Sequence, residues 1–134
     1  MHTSGPVIVM ELPERLKHSD VEKFLEELQP LLESENPRIV LDCSQVRYAD
    51  SVGVEMLRRS MQEAMKHKGD MKLAAVLPAS SVILELMRVD RLFEMFETAE
   101  EAVESFLGFR SYPVRQSEPQ PGVYSDFGDL KAAS

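Results

Sequence analysis

Ser51 is the residue in this chain best placed to do or to receive chemistry. It lies in the run Asp42-Cys43-Ser44-Gln45-Val46-Arg47-Tyr48-Ala49-Asp50-Ser51-Val52-Gly53, after an apolar strand pattern, Arg38-Ile39-Val40-Leu41, and before a helical one, Val54, Leu57, Met61 and Met65. A serine at that junction stands at a helix start, where backbone N–H groups lack intrahelical partners and the macrodipole is positive. Two roles suit it. Its hydroxyl can cap the helix, or it can carry a phosphoryl group, because an anion there meets donors instead of repulsion. Asp50 would sit beside it, as a helix-start anion or as a residue that orients the acceptor or meets a partner. Gly53, unfavourable inside a helix, points to packing or to close approach of a partner. Asp42 is expected to hydrogen-bond the backbone of the turn after the strand.

Catalysis by Ser51 is not favoured. No Gly-x-Ser-x-Gly elbow is present. Of the three histidines, His2 is terminal, His18 enters a helix and His67 ends the helix that Ser51 begins. Along that helix Ser51 and His67 would be about 24 Å apart, beyond proton-transfer reach. No metal-ligand spacing and no glycine-rich phosphate loop occurs, so no cofactor is expected. The single cysteine, Cys43, has no partner for an internal disulfide and reads as a small buried hydrophobe.

The elements that would position Ser51 can be read from periodicity. Val7 to Leu12 form a strand ended by Pro13. Ser19 with Glu22 has the form of a capping box ahead of a helical stripe, Val21, Phe24, Leu25, Leu28 and Leu32, which Pro30 should end or kink near Glu27 to Gln29. Ile39 to Leu41 read as a strand buried on both faces. The second helix runs from Ser51 to about His67, with Gly69 as its stop. Met71 to Leu77 form a strand closed by Pro78, and Val82, Ile83, Leu86 and Met87 line a third helix. Phe93 to Phe96 make a short strand. Thr98 with Glu101 caps a last helix carrying Ala102, Val103 and Phe106. Most methionines fall at or near core spacing.

Strands alternating with helices predict an α/β fold with parallel crossovers, and 134 residues leave room for one core. From Gly108 onward Pro113, Pro119 and Pro121 interrupt any period and the segment reads as a flexible tail, with packing of its aromatics on the domain or a partner as the other option. The formal charge of −8 arises before that tail, where three basic residues (Arg110, Arg115, Lys131) balance three acidic ones (Glu118, Asp126, Asp129). An acidic surface disfavours nucleic acid and anionic membranes. No apolar run is long enough to span a bilayer and nothing resembles a signal peptide, so a cytoplasmic location is expected.

The run around Ser51 resembles the STAS domain, and more narrowly the bacterial anti-sigma-factor antagonists, whose signature runs roughly Asp-Leu-Ser-x-Val-x-Phe-x-Asp-Ser-Ser/Thr-Gly-Leu. Asp42, Ser44, Val46, Asp50, Ser51 and Gly53 match it. Glu14-Arg15-Leu16-Lys17-His18, Lys68 to Val76 and Leu92 to Ala102 are similar to the family's first helix entry, its helix-turn-strand step and its last strand and helix. The resemblance implies one STAS-like domain over residues 7–107, with a mixed, mostly parallel sheet of four or five strands packed by about four helices, and residues 108–134 as the tail. An extra opening strand is usual in the family, but residues 1–6 are too short and polar for one, so it is rudimentary here or something else covers that sheet edge.

By resemblance, Ser51 is the phosphorylation site of a switchable binding module. The unmodified protein would hold an anti-sigma factor that is also a serine kinase, phosphorylation would release it, and a phosphatase would reset it. Asp50, Ser51, Val52, Val54 and Lys17 would meet the partner, with Asp42 and Gly53 structural. Val52 replaces a customary Ser or Thr, Val54 a Leu, Glu14 a glycine and Lys17 an aspartate, the last reversing charge near Ser51. Similar domains also serve as accessory or scaffold subunits of transporters and signalling complexes, in which the serine can be unused.

Overall fold

The computed structural model describes residues 6–108. In chain order the elements are β1 (Val7–Glu11), β2 (Arg15–Leu16), α1 (His18–Leu32), β3 (Arg38–Asp42), β4 (Tyr48–Ala49), α2 (Ser51–Lys66), β5 (Asp70–Ala74), α3 (Pro78–Leu86), β6 (Met95–Phe96) and α4 (Ala99–Phe106). Four strands form a parallel sheet in the order β1-β3-β5-β6, and β2 and β4 form a separate two-stranded parallel ladder. Beyond Gly108 the expected tail lies outside the described residues, as do residues 1–5, on which the alternatives for the opening strand turn.

Alternation along the central strands sends side chains to two cores. Ile39, Leu41, Met71 and Leu73 face the larger one, which they share with Phe24 and Leu28 of α1 and Leu57 and Met61 of α2. Val40, Ala74 and Phe96 face the other side, where Ala102 of α4 covers them, with Val103 and Phe106 packed against this cluster. Lys72 points to that side too and is buried. Its ammonium donates to Ser105 Oγ, lies 3.2 Å from Glu94 Oε1 and sits 4.2 Å from the centroid of the Phe106 ring. Arg38 donates to the Phe106 carbonyl and stacks 5.4 Å from the same ring.

Several expectations change in the structure. Ser19 is not a cap: α1 begins at His18, with Lys17 at the N-cap position and no side-chain cap of its own. Pro30 neither ends nor breaks α1, which continues to Leu32; it is exposed, so water can reach the carbonyl left without an N–H partner. The stop after α2 is made by Lys68 in the left-handed region (φ 63°), not by Gly69. Gly69 is required instead by packing, since a Cβ there would lie 2.2 Å from the Pro37 carbonyl oxygen. β5 ends at Ala74 because Ala75 turns left-handed (φ 57°), and Pro78 opens α3 instead of closing a strand. α3 follows the apolar reading only in part: Ile83 and Met87 pack against the main core, but Ser80, Ser81 and Leu84 are the buried residues of the helix, and Val82 and Leu86 are exposed. The buried Ser80 hydroxyl is satisfied by donating to the Val46 carbonyl. The expected strand from Phe93 contracts to Met95–Phe96. Of the methionines, Met56, Met61, Met71 and Met95 are core residues, whereas Met65 is exposed.

Other features hold as expected. Thr98 caps α4 by accepting from the Glu101 N–H, and Asp42 Oδ1 accepts from the Ser44 N–H in the turn after β3. Cys43 is buried, and burial pushes its thiol up to about 12. At pH 8 the native protein should therefore be inert to a thiol reagent such as DTNB, and denaturant should release one reactive thiol per chain. Fast labelling of the native protein would show that the core around Cys43 opens readily.

Candidate functional site

The N-terminal end of α2 is built on one carboxylate. Asp50, not Ser51, is its N-cap: Asp50 Oδ1 accepts from the Gly53 N–H at 2.9 Å. The second oxygen, Oδ2, accepts from the His18 N–H at 3.0 Å and lies 3.2 Å from His18 Nδ1. His18 is the first residue of α1, so one side chain serves the starts of two helices and supplies the cap that α1 lacks locally. The Gly53 N–H, followed by the His18 N–H, stabilises the charged form and lowers the Asp50 carboxyl to about 2.

Leu16 holds the same corner from below. Its carbonyl accepts from the Asp50 N–H at 3.3 Å, and a Cβ on Gly53 would come within 1.9 Å of that oxygen. Gly53 is thus a residue of close packing between the start of α2 and β2. The β2–β4 ladder, which periodicity did not reveal, aligns Arg15 with Tyr48 and Leu16 with Ala49. The Glu14 carbonyl anchors it by accepting from both the Arg47 and Tyr48 N–H groups.

With the cap supplied by Asp50, Ser51 is the first helical residue and is exposed. Val52 beside it is 48% exposed and Tyr48 is 53% exposed. The Lys17 ammonium lies 5.6 Å from the centroid of the Tyr48 ring, within cation–π range. Ser51 and Val52 also open onto a groove of about 540 Å³ whose apolar lining comes from Val21 and Leu25 of α1, Met56 of α2 and Met87 after α3. Glu55 lies on the same groove, tied to Arg58 and Arg59. The structure therefore brings Lys17, Asp50, Ser51 and Val52 together at one surface. Val54 does not belong there: it is 1% exposed and packs in the main core, because the helical turn from Ser51 carries it to the inner face. Tyr48, Arg15 and His18 are the neighbours that sequence reasoning missed; Tyr48 stood at the signature's aromatic position and was the available signal.

Among the described residues no cluster of metal-ligating side chains occurs, and no helix is long and apolar enough to cross a membrane. The geometry suits recognition: a rigid helix start, an exposed hydroxyl, an exposed aromatic and an apolar groove.

Two substitutions test the corner. Gly53→Ala should destabilise by about 1–3 kcal/mol despite alanine's better helix propensity, because backbone must move; chemical denaturation measures it, and an unchanged midpoint would refute the contact. Asp50→Asn should reduce stability at neutral pH. The Asp50 carboxyl is depressed in the folded state, so its contribution is present above about pH 4 and is lost as pH falls toward about 2. Wild type and Asp50→Asn should accordingly converge in stability between pH 4 and 2, and a constant gap across that window would exclude the double cap.

Comparison with known proteins accords with this geometry. The family model for the STAS domain matches residues 1–102. The fold is similar to that of an anti-sigma-factor antagonist (STAS) domain protein from Planctomyces limnophilus, with TM-score 0.68 and 22% identity over 74% of this chain and 89% of that one. It is also similar to a protein from Thermotoga maritima described as an anti-sigma factor antagonist (TM-score 0.65, 21% identity, 72% of this chain and 86% of that one). A sulfate transporter family protein from Wolinella succinogenes matches as well (TM-score 0.64, 16% identity, 74% and 83%). The chain belongs to the STAS domain family.

Proposed function

We propose that this protein is an anti-sigma-factor antagonist: a cytoplasmic, non-enzymatic binding module, spanning residues 7–107, whose grip on a partner is switched at Ser51. In this reading the unmodified protein binds an anti-sigma factor with serine-kinase activity. That kinase phosphorylates Ser51 and lets go, and a phosphatase restores binding. The observation that carries the reading is the division of labour between Asp50 and Ser51. Asp50 caps α2, so the neighbouring hydroxyl is exposed at a helix start and is not needed as the cap.

The energetics of such a switch are modest. A phosphate adds about −1.5 to −2 charges at neutral pH. The start of α2 tolerates an anion, so the cost falls on a partner pressed against it, which must desolvate the charge or oppose it. About 3–4 kcal/mol of lost binding corresponds to several-hundred-fold in affinity, within the range that charge interactions at an interface supply.

The likeness to a sulfate transporter family protein supports a second reading, an accessory or scaffold subunit in which Ser51 is not modified. Lys17, at a position where the antagonists usually carry aspartate, favours it too. The two readings separate in one experiment. Phosphopeptide mapping of the protein from its native cells should find phosphate on Ser51, and a purified kinase-like partner should bind wild type and Ser51→Ala alike while losing about a hundredfold or more with Ser51→Asp. Absence of the modification, together with equal binding of all three forms, would move the function to the accessory role.

A further inference from the structure

Three basic side chains, Arg15, Lys17 and Arg47, gather around Tyr48 on a chain whose formal charge is −8. Arg15 of β2 and Lys17, the extended residue before α1, alternate with the buried Leu16; Arg15 is exposed and paired in register with Tyr48, and Lys17 is half-buried. The Lys17 ammonium lies over the Tyr48 ring, and Arg47, next to Tyr48, is also exposed. Of the acidic side chains nearby, Glu14 is exposed, and Asp50 and Asp20 are engaged. Asp50 is turned into the two helix starts, and Asp20 sits 4.0 Å from Arg15. Among the described residues no carboxylate lies within ion-pair distance of Lys17. An exposed aromatic flanked by cations has the composition of a binding hot spot.

We propose that this ridge of Arg15, Lys17 and Tyr48 receives an acidic patch of a protein partner, with the tyrosine ring packed against it and Lys17 facing a carboxylate. The inference rests on the Ser51 switch and adds to it the chemistry of the partner. Lys17, with Arg15 shared with Asp20, attracts an acidic surface, and a phosphate of about −1.5 to −2 charges on Ser51 outweighs that attraction. One modification then removes the attraction and adds repulsion against the same carboxylates. A protein patch is favoured over a nucleic acid because the net charge of the whole chain repels an extended polyanion at long range.

The test uses the partner that wild type captures from native lysate, identified by mass and then purified. Lys17→Glu and Arg15→Glu lie on the surface and should keep the wild-type circular dichroism spectrum and melting temperature. Each should weaken partner binding about tenfold or more, wild-type affinity should fall with added salt, and an Asp→Lys or Glu→Lys change on the partner should restore binding to Lys17→Glu. Wild-type affinity in Lys17→Glu, or salt-independent binding, overturns the proposal. So does binding of a 20-nucleotide single strand that Lys17→Glu abolishes, which would assign the ridge to nucleic acid. Failure of the switch has a different signature: Ser51→Asp binds like wild type whatever happens at Lys17.

Discussion

Asp50 joins two helices that are otherwise unrelated in sequence, and the geometry around Ser51 depends on it. One carboxylate oxygen takes the Gly53 N–H of α2 and the other takes the His18 N–H of α1. The shared anion fixes the positions of the two helix starts relative to each other. That in turn sets the spacing between Val21 and Leu25 on α1 and Val52 and Met56 on α2, the walls of the groove. Leu16 completes the constraint, since its carbonyl both receives the Asp50 N–H and occupies the space a side chain at position 53 would need. A side chain at position 53 has no room unless the backbone of this corner moves. The exposed residues thus stand on a closely packed corner, and a preformed surface limits the entropy lost when a partner docks.

The opposite side of the sheet solves a different problem. α4 has no basic residue in its last turn, so the negative end of its dipole takes cations from the strands. Arg38 reaches the Phe106 carbonyl from β3, and Lys72 reaches Ser105 from β5. A buried ammonium is costly unless paired and hydrogen-bonded. Here Glu94, the Ser105 hydroxyl and the faces of Phe96 and Phe106 surround it. The polar cluster gives α4 a defined seat on the sheet, whereas the small apolar cluster of Val40, Ala74, Phe96 and Ala102 alone would hold it with less directional preference.

The parts of this fold that were legible in the sequence are those determined by local pattern. Ile39 to Leu41 read as a strand buried on both faces because they are, and Thr98 caps α4 through a residue three positions on. What escaped was set by contacts across the chain. The cap of α1 comes from Asp50, 32 residues away, so Ser19 and Glu22 misled by their local form. The β2–β4 ladder contributes only two residues per strand and is held by the Glu14 carbonyl, which leaves no period to detect. The buried face of α3 is displaced from the expected stripe, keeping Ile83 and Met87 but not Val82 and Leu86, and its buried hydroxyl at Ser80 finds the Val46 carbonyl, a partner that hydropathy does not register. At the site, the signature placed Ser51 and Asp50 correctly at a helix start but assigned no cap to Asp50, and it sent Val54 to a surface from which the helical turn removes it.

Separating the cap from the hydroxyl has a consequence for how a charge at Ser51 would act. Were Ser51 the cap, its modification would remove a stabilising hydrogen bond and disturb the fold itself. With Asp50 holding the Gly53 N–H, a phosphate on Ser51 would project from the first helical residue into solvent, and α2 would keep its start. The neighbouring carboxylate raises the local negative charge, while Arg15, Lys17 and the positive end of α2 lower it. Arg15 is exposed and Lys17 is half-buried over the Tyr48 ring, on the side a partner would meet. The effect of the phosphate would therefore appear in the potential presented outward and not in the stability of the domain, as a reversible recognition switch requires.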